Sequence, residues 1–347
     1  MYALLVVAIS AKVSFVIHGL EESVEVARSL GQYVLVDRIG SGGMGSVWTA
    51  RHAMLKRTTA VKLMHTDRTS AADIARFERE VQLTSRLTHP NTVAVFDYGR
   101  TDDGRLYYAM EHVDGPSLEQ LVDTEGPQPA ARVVHLLRQV ADALTEAHGL
   151  GLVHRDVKPA NILVSTRGGI ADFVKVVDFG LVHALSPDPA ARTRTERSDA
   201  NVVVGTPEYL APEMILRPAE VDGRADLYAL GAVAFFLLTG RPVFDGASLV
   251  EIGAHHLHTR PRAPGILVPG VPPELDALVL RCLAKEPAER PSSAAALRDE
   301  LEILGVRSPW RPVSASSPGL SAVPSEAPSA SGPSSRLRSL PPPARAR

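Results

Sequence analysis

The run Val153-His154-Arg155-Asp156-Val157-Lys158-Pro159-Ala160-Asn161-Ile162-Leu163 gathers a carboxylate, an ammonium and a carboxamide in one short loop. Downstream, Val174-Lys175-Val176-Val177 reads as a strand that delivers Asp178-Phe179-Gly180. These groups suit phosphoryl transfer, which asks a protein for positioning, metal ions and charge neutralisation more than for covalent chemistry. Asp156 can orient an attacking hydroxyl and take its proton, and Lys158 can neutralise charge on the moving phosphoryl. Asn161 and Asp178 offer the hard oxygens that Mg²⁺ prefers. A single Asp here could be a loop cap; the whole set in this order leaves that reading little room.

A second group must hold the phosphates. Ile39-Gly40-Ser41-Gly42-Gly43-Met44-Gly45-Ser46-Val47 fits G-x-G-x-x-G-x-V, and its glycines let backbone N–H groups approach triphosphate oxygens. A dinucleotide fingerprint uses similar glycines but runs straight into a helix. Here the loop leads into a second strand, and Ala60-Val61-Lys62 follows on a third. Lys62 can reach the α- and β-phosphates if a carboxylate holds it. Glu80 is the expected partner, because it follows the inward helix face with Phe77, Val81 and Thr84. Glu78, two positions away, lies on a different face.

Elements able to position these groups are legible around them. Tyr33 to Ile39, Val47 to Ala50, Thr59 to Met64 and Leu106 to Val113 read as strands, and Ala71 to Leu87 as a helix. Pro129 to His148 is a clearer helix: Val133, Leu137, Val140 and Leu144 share one face, and Gly149 and Gly151 end it. Ala225 to Leu238 is apolar nearly all round, so it should be buried. A strand-rich first part and a helix-rich second part predict an α+β, two-lobed architecture with a cleft between the lobes.

With these residues in hand, the chain resembles the eukaryotic-type (Hanks-type) serine/threonine protein kinases, and Gly42-Gly43-Met44-Gly45 is similar to the loop of bacterial members. The resemblance runs from about Tyr33 to Leu304. It implies a small β-rich N-lobe with one key helix (about 31–112), a larger helical C-lobe (about 113–304), and ATP with Mg²⁺ in the cleft, Mn²⁺ being able to substitute. By that resemblance Met110 is the gatekeeper, Glu111 to Val113 the hinge, and Ile39, Val47, Ala60 and Leu163 belong to the ATP site. Lys158 resembles the lysine typical of Ser/Thr specificity, and Thr206, in Gly205-Thr206-Pro207-Glu208-Tyr209, the threonine that supports it and the catalytic Asp. Ala211-Pro212-Glu213 matches A-P-E, with Glu213 expected to pair with Arg290. Asp226 resembles the buried helix aspartate that braces the catalytic loop.

Arg155 directly precedes Asp156, which leaves a basic group for a phosphate on the activation loop, Leu181 to Val204. Thr193, Thr195 and Ser198 are the expected phosphorylation sites, the choice among them open. Arg192, Arg194 and Arg197 make the loop basic.

The remaining composition narrows the alternatives. Net charge is −2 and the hydrophobic fraction 45%, which gives no support to nucleic acid as a partner. The lone Cys282 permits no intrachain disulfide and fits a reducing, cytoplasmic setting. His255, His256 and His258 form the one histidine cluster, read as solvated or partly packed imidazoles rather than a metal site. Residues 1–30 carry an apolar stretch without a basic start and too short to span a bilayer. They read as a loosely packed extension, with membrane association through them the weaker alternative. Residues 305–347 are rich in Ser, Pro, Ala and Arg and are expected to be disordered. Expected partners are protein substrates and, transiently, a second copy for trans-autophosphorylation. A scaffold without transfer activity would commonly lack Lys62, Asp156 or Asp178. A small-molecule phosphotransferase would generally lack the Gly205 to Glu213 platform.

Overall fold

A computed structural model of the chain describes residues 29–42, 45–65, 71–179, 207–307 and 309–310. All of them belong to one compact unit, Met1–Arg311. Gly43, Met44, Thr193, Thr195, Ser198 and Thr206 lie outside the described residues, as do the N-terminal extension and the Ser/Pro-rich tail.

The first lobe is a six-stranded antiparallel sheet of order β1-β2-β3-β4-β6-β5. Its strands are β1 (Ser29–Leu30), β2 (Tyr33–Gly42), β3 (Gly45–His52), β4 (Thr58–Met64), β5 (Val95–Arg100) and β6 (Leu106–Glu111), with helix α1 (Ala71–Thr84) between β4 and β5. The period of two sorts the side chains. Val61 and Leu63 of β4 join Tyr107 and Ala109 of β6 in one apolar cluster. Ala60 and Met64 join Tyr108, Met110 and, from α1, Phe77 and Val81 in the other. Lys62 is on that second face, pointing toward the second lobe rather than into open water. The strand expected over Leu106 to Val113 ends at Glu111, where the chain leaves the sheet for the linker.

The second lobe holds α2 (Leu118–Glu125), α3 (Ala130–Gly149), the hairpin β7 (Ile162–Arg167) and β8 (Ile170–Val176), α4 (Pro212–Leu216), α5 (Arg224–Thr239), α6 (Leu249–His258), α7 (Pro264–Leu267), α8 (Pro273–Cys282) and α9 (Ala294–Arg307). Val133, Leu137, Val140 and Leu144 of α3 are 0–3% exposed, as the helical spacing requires. Helix α5 is buried almost throughout and ends on Gly240 in the left-handed region (φ 70°), where a glycine is unstrained. Among the described residues no helix is long and apolar enough to cross a membrane.

The connector after α1 joins the lobes. Val93 N donates to Val176 O and Val176 N to Asn91 O, so β8 is gripped by the chain entering β5. On α3, the Glu146 carboxylate accepts from the backbone N–H groups of Thr88 and His89 and from the Thr88 hydroxyl. Gln139 accepts from Asn91 and Val174 N. These bonds satisfy a buried connector that would otherwise carry orphan polar groups.

Candidate active site

The glycine hairpin forms the roof of the cleft. Gly42 pairs with Gly45 at its tip. A Cβ at Gly45 would collide with the Leu63 carbonyl oxygen, whereas one at Gly42 would meet nothing within 4 Å. Glycine is thus demanded by strand packing at Gly45, and Gly42 borders open space. Below, Val47, Ala60, Met110, Val113 and Leu163 pack into one apolar cluster with Val177, drawn from both lobes. Ile39 remains 55% exposed at the rim.

Lys62 is 8% exposed, and its Nζ donates to Asp178 Oδ2 at 2.6 Å. This partner is one the sequence did not announce, Glu80 being the one expected. Helix α1 does present the anticipated face, with Phe77 and Val81 fully buried, Glu80 half-buried and Glu78 exposed. The Lys62 ammonium meets the carboxylate carried just after β8. Asp178 is also the acceptor of the Tyr108 hydroxyl. Burial alone would raise the Asp178 pKa, but the Lys62 charge and the hydrogen bonds from Lys62 and Tyr108 outweigh it and hold the carboxyl below its ordinary range. Burial, with the Asp178 charge added, pushes the Tyr108 phenol well above its ordinary value, so it stays a donor.

The loop that carries Asp156 is braced from behind. Asp226, 1% exposed on α5, accepts from His154 N at 2.9 Å, Arg155 N at 2.8 Å and His148 Nε2 at 2.7 Å. Those bonds hold Arg155 at φ 63°, a left-handed conformation that a non-glycine residue rarely adopts unsupported. His154 is fully buried; it accepts from Asp156 N at Nδ1, donates to Val177 O from Nε2, and packs on the Phe179 ring. At the front of the loop, Lys158 Nζ lies 2.8 Å from Asp156 Oδ2. Asn161 Nδ2 donates to the same carboxylate oxygen and to Asp156 O. Val177 N donates to Asn161 O, tying the segment that carries Asp178 to the loop that carries Asp156.

With Asn161 Nδ2 spent on Asp156, its Oδ1 is left as the acceptor, and Asp178 supplies an ionised carboxylate. Among the described residues no cluster of three or more His, Cys, Asp or Glu side chains could hold a metal alone. Two hard oxygens fit Mg²⁺, which is held by one or two protein oxygens together with phosphates rather than by an all-protein cage.

Several roles were not legible in sequence. Tyr108 is one, and Lys175 is another: buried in β8, it donates to Glu111 Oε2 at 2.7 Å and to Thr92 O at 3.1 Å. Burial pulls its pKa down, with Glu111 opposing. Glu111 therefore fixes the hinge to the strand leading to Asp178. Farther out, Arg290 makes paired bonds of 2.6 and 2.7 Å to Glu213, the partner expected for it. His256 is fully buried, its Nδ1 2.8 Å from the Tyr228 hydroxyl, so it is more completely packed than expected of its cluster.

This is the architecture of a bilobal kinase domain. Residues 33–301 match the family model described as the protein kinase domain, and the chain belongs to that family. It is 42% identical over 269 residues to the serine/threonine-protein kinase pkn3 of Myxococcus xanthus, covering 76% of this chain and 48% of that one. To PknB of Mycobacterium tuberculosis it is 40% identical over 274 residues, covering 78% and 42%. The chain thus spans under half the length of these relatives. The kinase domain of M. tuberculosis PknI is similar in structure, with a TM-score of 0.61 at 29% identity, covering 79% of this chain and 97% of that one.

Proposed function

We propose that the chain is an ATP-dependent serine/threonine protein kinase that transfers the γ-phosphoryl of Mg-ATP to protein hydroxyls. The observation that carries this reading is the convergence of Lys62, Asp156, Lys158, Asn161 and Asp178 on one cleft beneath the glycine hairpin. Asp178 and Asn161 Oδ1 would hold Mg²⁺, which would supply neutralisation of the charge developing on the phosphates. Asp156, fixed by Asn161 and Lys158, is placed to orient the attacking hydroxyl and accept its proton. Lys158 neutralises the moving phosphoryl, and Lys62, whose ammonium carries three donors, reaches the nucleotide phosphates from its place beside Asp178. The apolar patch of Val47, Ala60, Met110, Val113 and Leu163 would receive the adenine against the hinge backbone of Glu111 to Val113.

Thr206 is assigned to support Lys158 and Asp156. Thr193, Thr195 and Ser198 are assigned as autophosphorylation sites whose phosphate Arg155 would receive, with a second copy acting in trans. Residues 31–304 are assigned as the catalytic domain, and the cytoplasm as its compartment. The names of the relatives support protein Ser/Thr hydroxyls as acceptors. Retention of Lys62, Asp156 and Asp178, the groups that scaffolds commonly lose, argues against a binding-only role. Incubation with labelled ATP and Mg²⁺, alongside Asp156→Asn, followed by phosphosite mapping, tests the proposal. Label on Ser or Thr in wild type only is the expected result; no label even with generic protein substrates and Mn²⁺ would overturn it.

A further inference from the structure

Lys62 and Tyr108 are cross-strand partners in β4 and β6, and both reach the same carboxylate. The Lys62 ammonium holds Asp178 Oδ2, and the Tyr108 hydroxyl holds Oδ1. The two oxygens are not equivalent for a cation. Oδ2 lies 2.6 Å from a positive charge, which repels a second one at that distance. Oδ1 is the side open to a dication on electrostatic grounds, and it is the side that Tyr108 takes.

Packing does not explain the hydroxyl. The Tyr108 ring is 1% exposed in the apolar cluster around Phe77 and Met110, a place a phenylalanine ring would fill as well. Burying a phenol there is unfavourable unless the hydroxyl is partnered, and the partner it has is Asp178. The segment is otherwise held without it, through Val177 N to Asn161 O and His154 Nε2 to Val177 O.

We propose that Tyr108 is a positioning residue that competes with Mg²⁺ for Oδ1 of Asp178, so that metal uptake requires displacement of its hydroxyl. This rests on the reading of Asp178 as metal ligand given above. Tyr108→Phe keeps the ring and removes the competitor. Mn²⁺ binding by the whole chain in the presence of ADP, followed by the EPR signal of the free ion, gives a readout apart from turnover. The expected result is about three- to tenfold tighter Mn²⁺ binding in Tyr108→Phe, the scale of one hydrogen bond, with ADP affinity in EDTA unchanged. Unchanged or weaker Mn²⁺ binding overturns the proposal, including the case where only the melting temperature falls. Asp178→Asn in the same series separates the two readings. Its loss of Mn²⁺ binding supports the ligand assignment, whereas wild-type binding would overturn that assignment and this inference with it.

Discussion

Lys62 Nζ and Asp178 Oδ2 are joined by a 2.6 Å ion pair that links the central strand of the sheet to the segment following β8. Their side chains are 11% and 13% exposed, so water screens the pair poorly. In the proposed reaction Lys62 acts on phosphate and Asp178 on metal from within this pair. Lys62→Met and Asp178→Asn should each lower phosphoryl transfer by about 10³-fold or more, since charge stabilisation is the main work of such sites. Far-UV circular dichroism of both variants should match wild type. Retention of wild-type rates in either would mean that the role given to that residue is wrong.

Arg290 and Glu213 form the most enclosed ion pair described, with side chains 0% and 5% exposed. Arg290 also donates to the carbonyls of Ala284, Arg224 and Lys285, so its guanidinium is saturated by fixed acceptors. Arg290→Ala would leave a buried carboxylate without its cation, at about 3–5 kcal/mol. Arg290→Lys keeps the charge but cannot reproduce the paired geometry, so it should recover only part of that loss. Urea unfolding of the three proteins measures the order; a lysine variant as stable as wild type would refute the geometric argument.

Trp310 extends the folded unit past α9. Its Nε1 donates to Asp172 Oδ2 at 2.7 Å, and the Arg132 guanidinium, which grips Asp172 through two bonds, lies 5.5 Å from its ring. Asp172 is itself in the left-handed region (φ 54°), so β8 is held in an unusual conformation at this point. Trp310→Ala should destabilise the protein by about 1–2 kcal/mol, the net worth of a hydrogen bond to a charged group plus a partly exposed cation–π contact. The midpoint of urea unfolding, followed by circular dichroism, reads this directly. An unchanged midpoint would make the contact incidental.

What could be read from the sequence follows from how local each signal is. Asp156, Asn161 and Asp178 sit in runs where residue type and spacing alone imply the chemistry. The inward face of α3 obeys a period that no partner needs to supply. Strand β5 carries no local signal, because Val-Phe-Asp-Tyr-Gly-Arg alternates half-buried with exposed positions and lacks an apolar run. The bond from Tyr108 to Asp178 and the pair Lys175–Glu111 join residues far apart in the chain, and nothing local to either end announces them. Lys62 illustrates the same limit: its need for a carboxylate was legible, but its bond to Asp178 depends on how the segment after β8 meets the sheet.

His256 supplies the pH dependence. It is fully buried, and burial, reinforced by the nearby Lys285 charge, lowers its pKa from 6.5 to about 4. Its Nδ1 meets the Tyr228 hydroxyl, and Phe244 packs edge-on against the ring, so a protonated imidazole has no carboxylate to turn to among these contacts. The folded pKa lies below the unfolded one, so the folded state binds fewer protons between the two. The stabilisation from keeping His256 neutral is therefore complete above about pH 6.5 and lost as pH falls toward about 4. A shift of this size corresponds to roughly 3 kcal/mol across that window. His256→Asn keeps a polar group near Tyr228 and removes the titration. Its unfolding free energy should fall less steeply than that of wild type between pH 7 and pH 4, even if it starts lower. Parallel profiles for the two proteins would show that acid sensitivity arises elsewhere, in the carboxylate pairs.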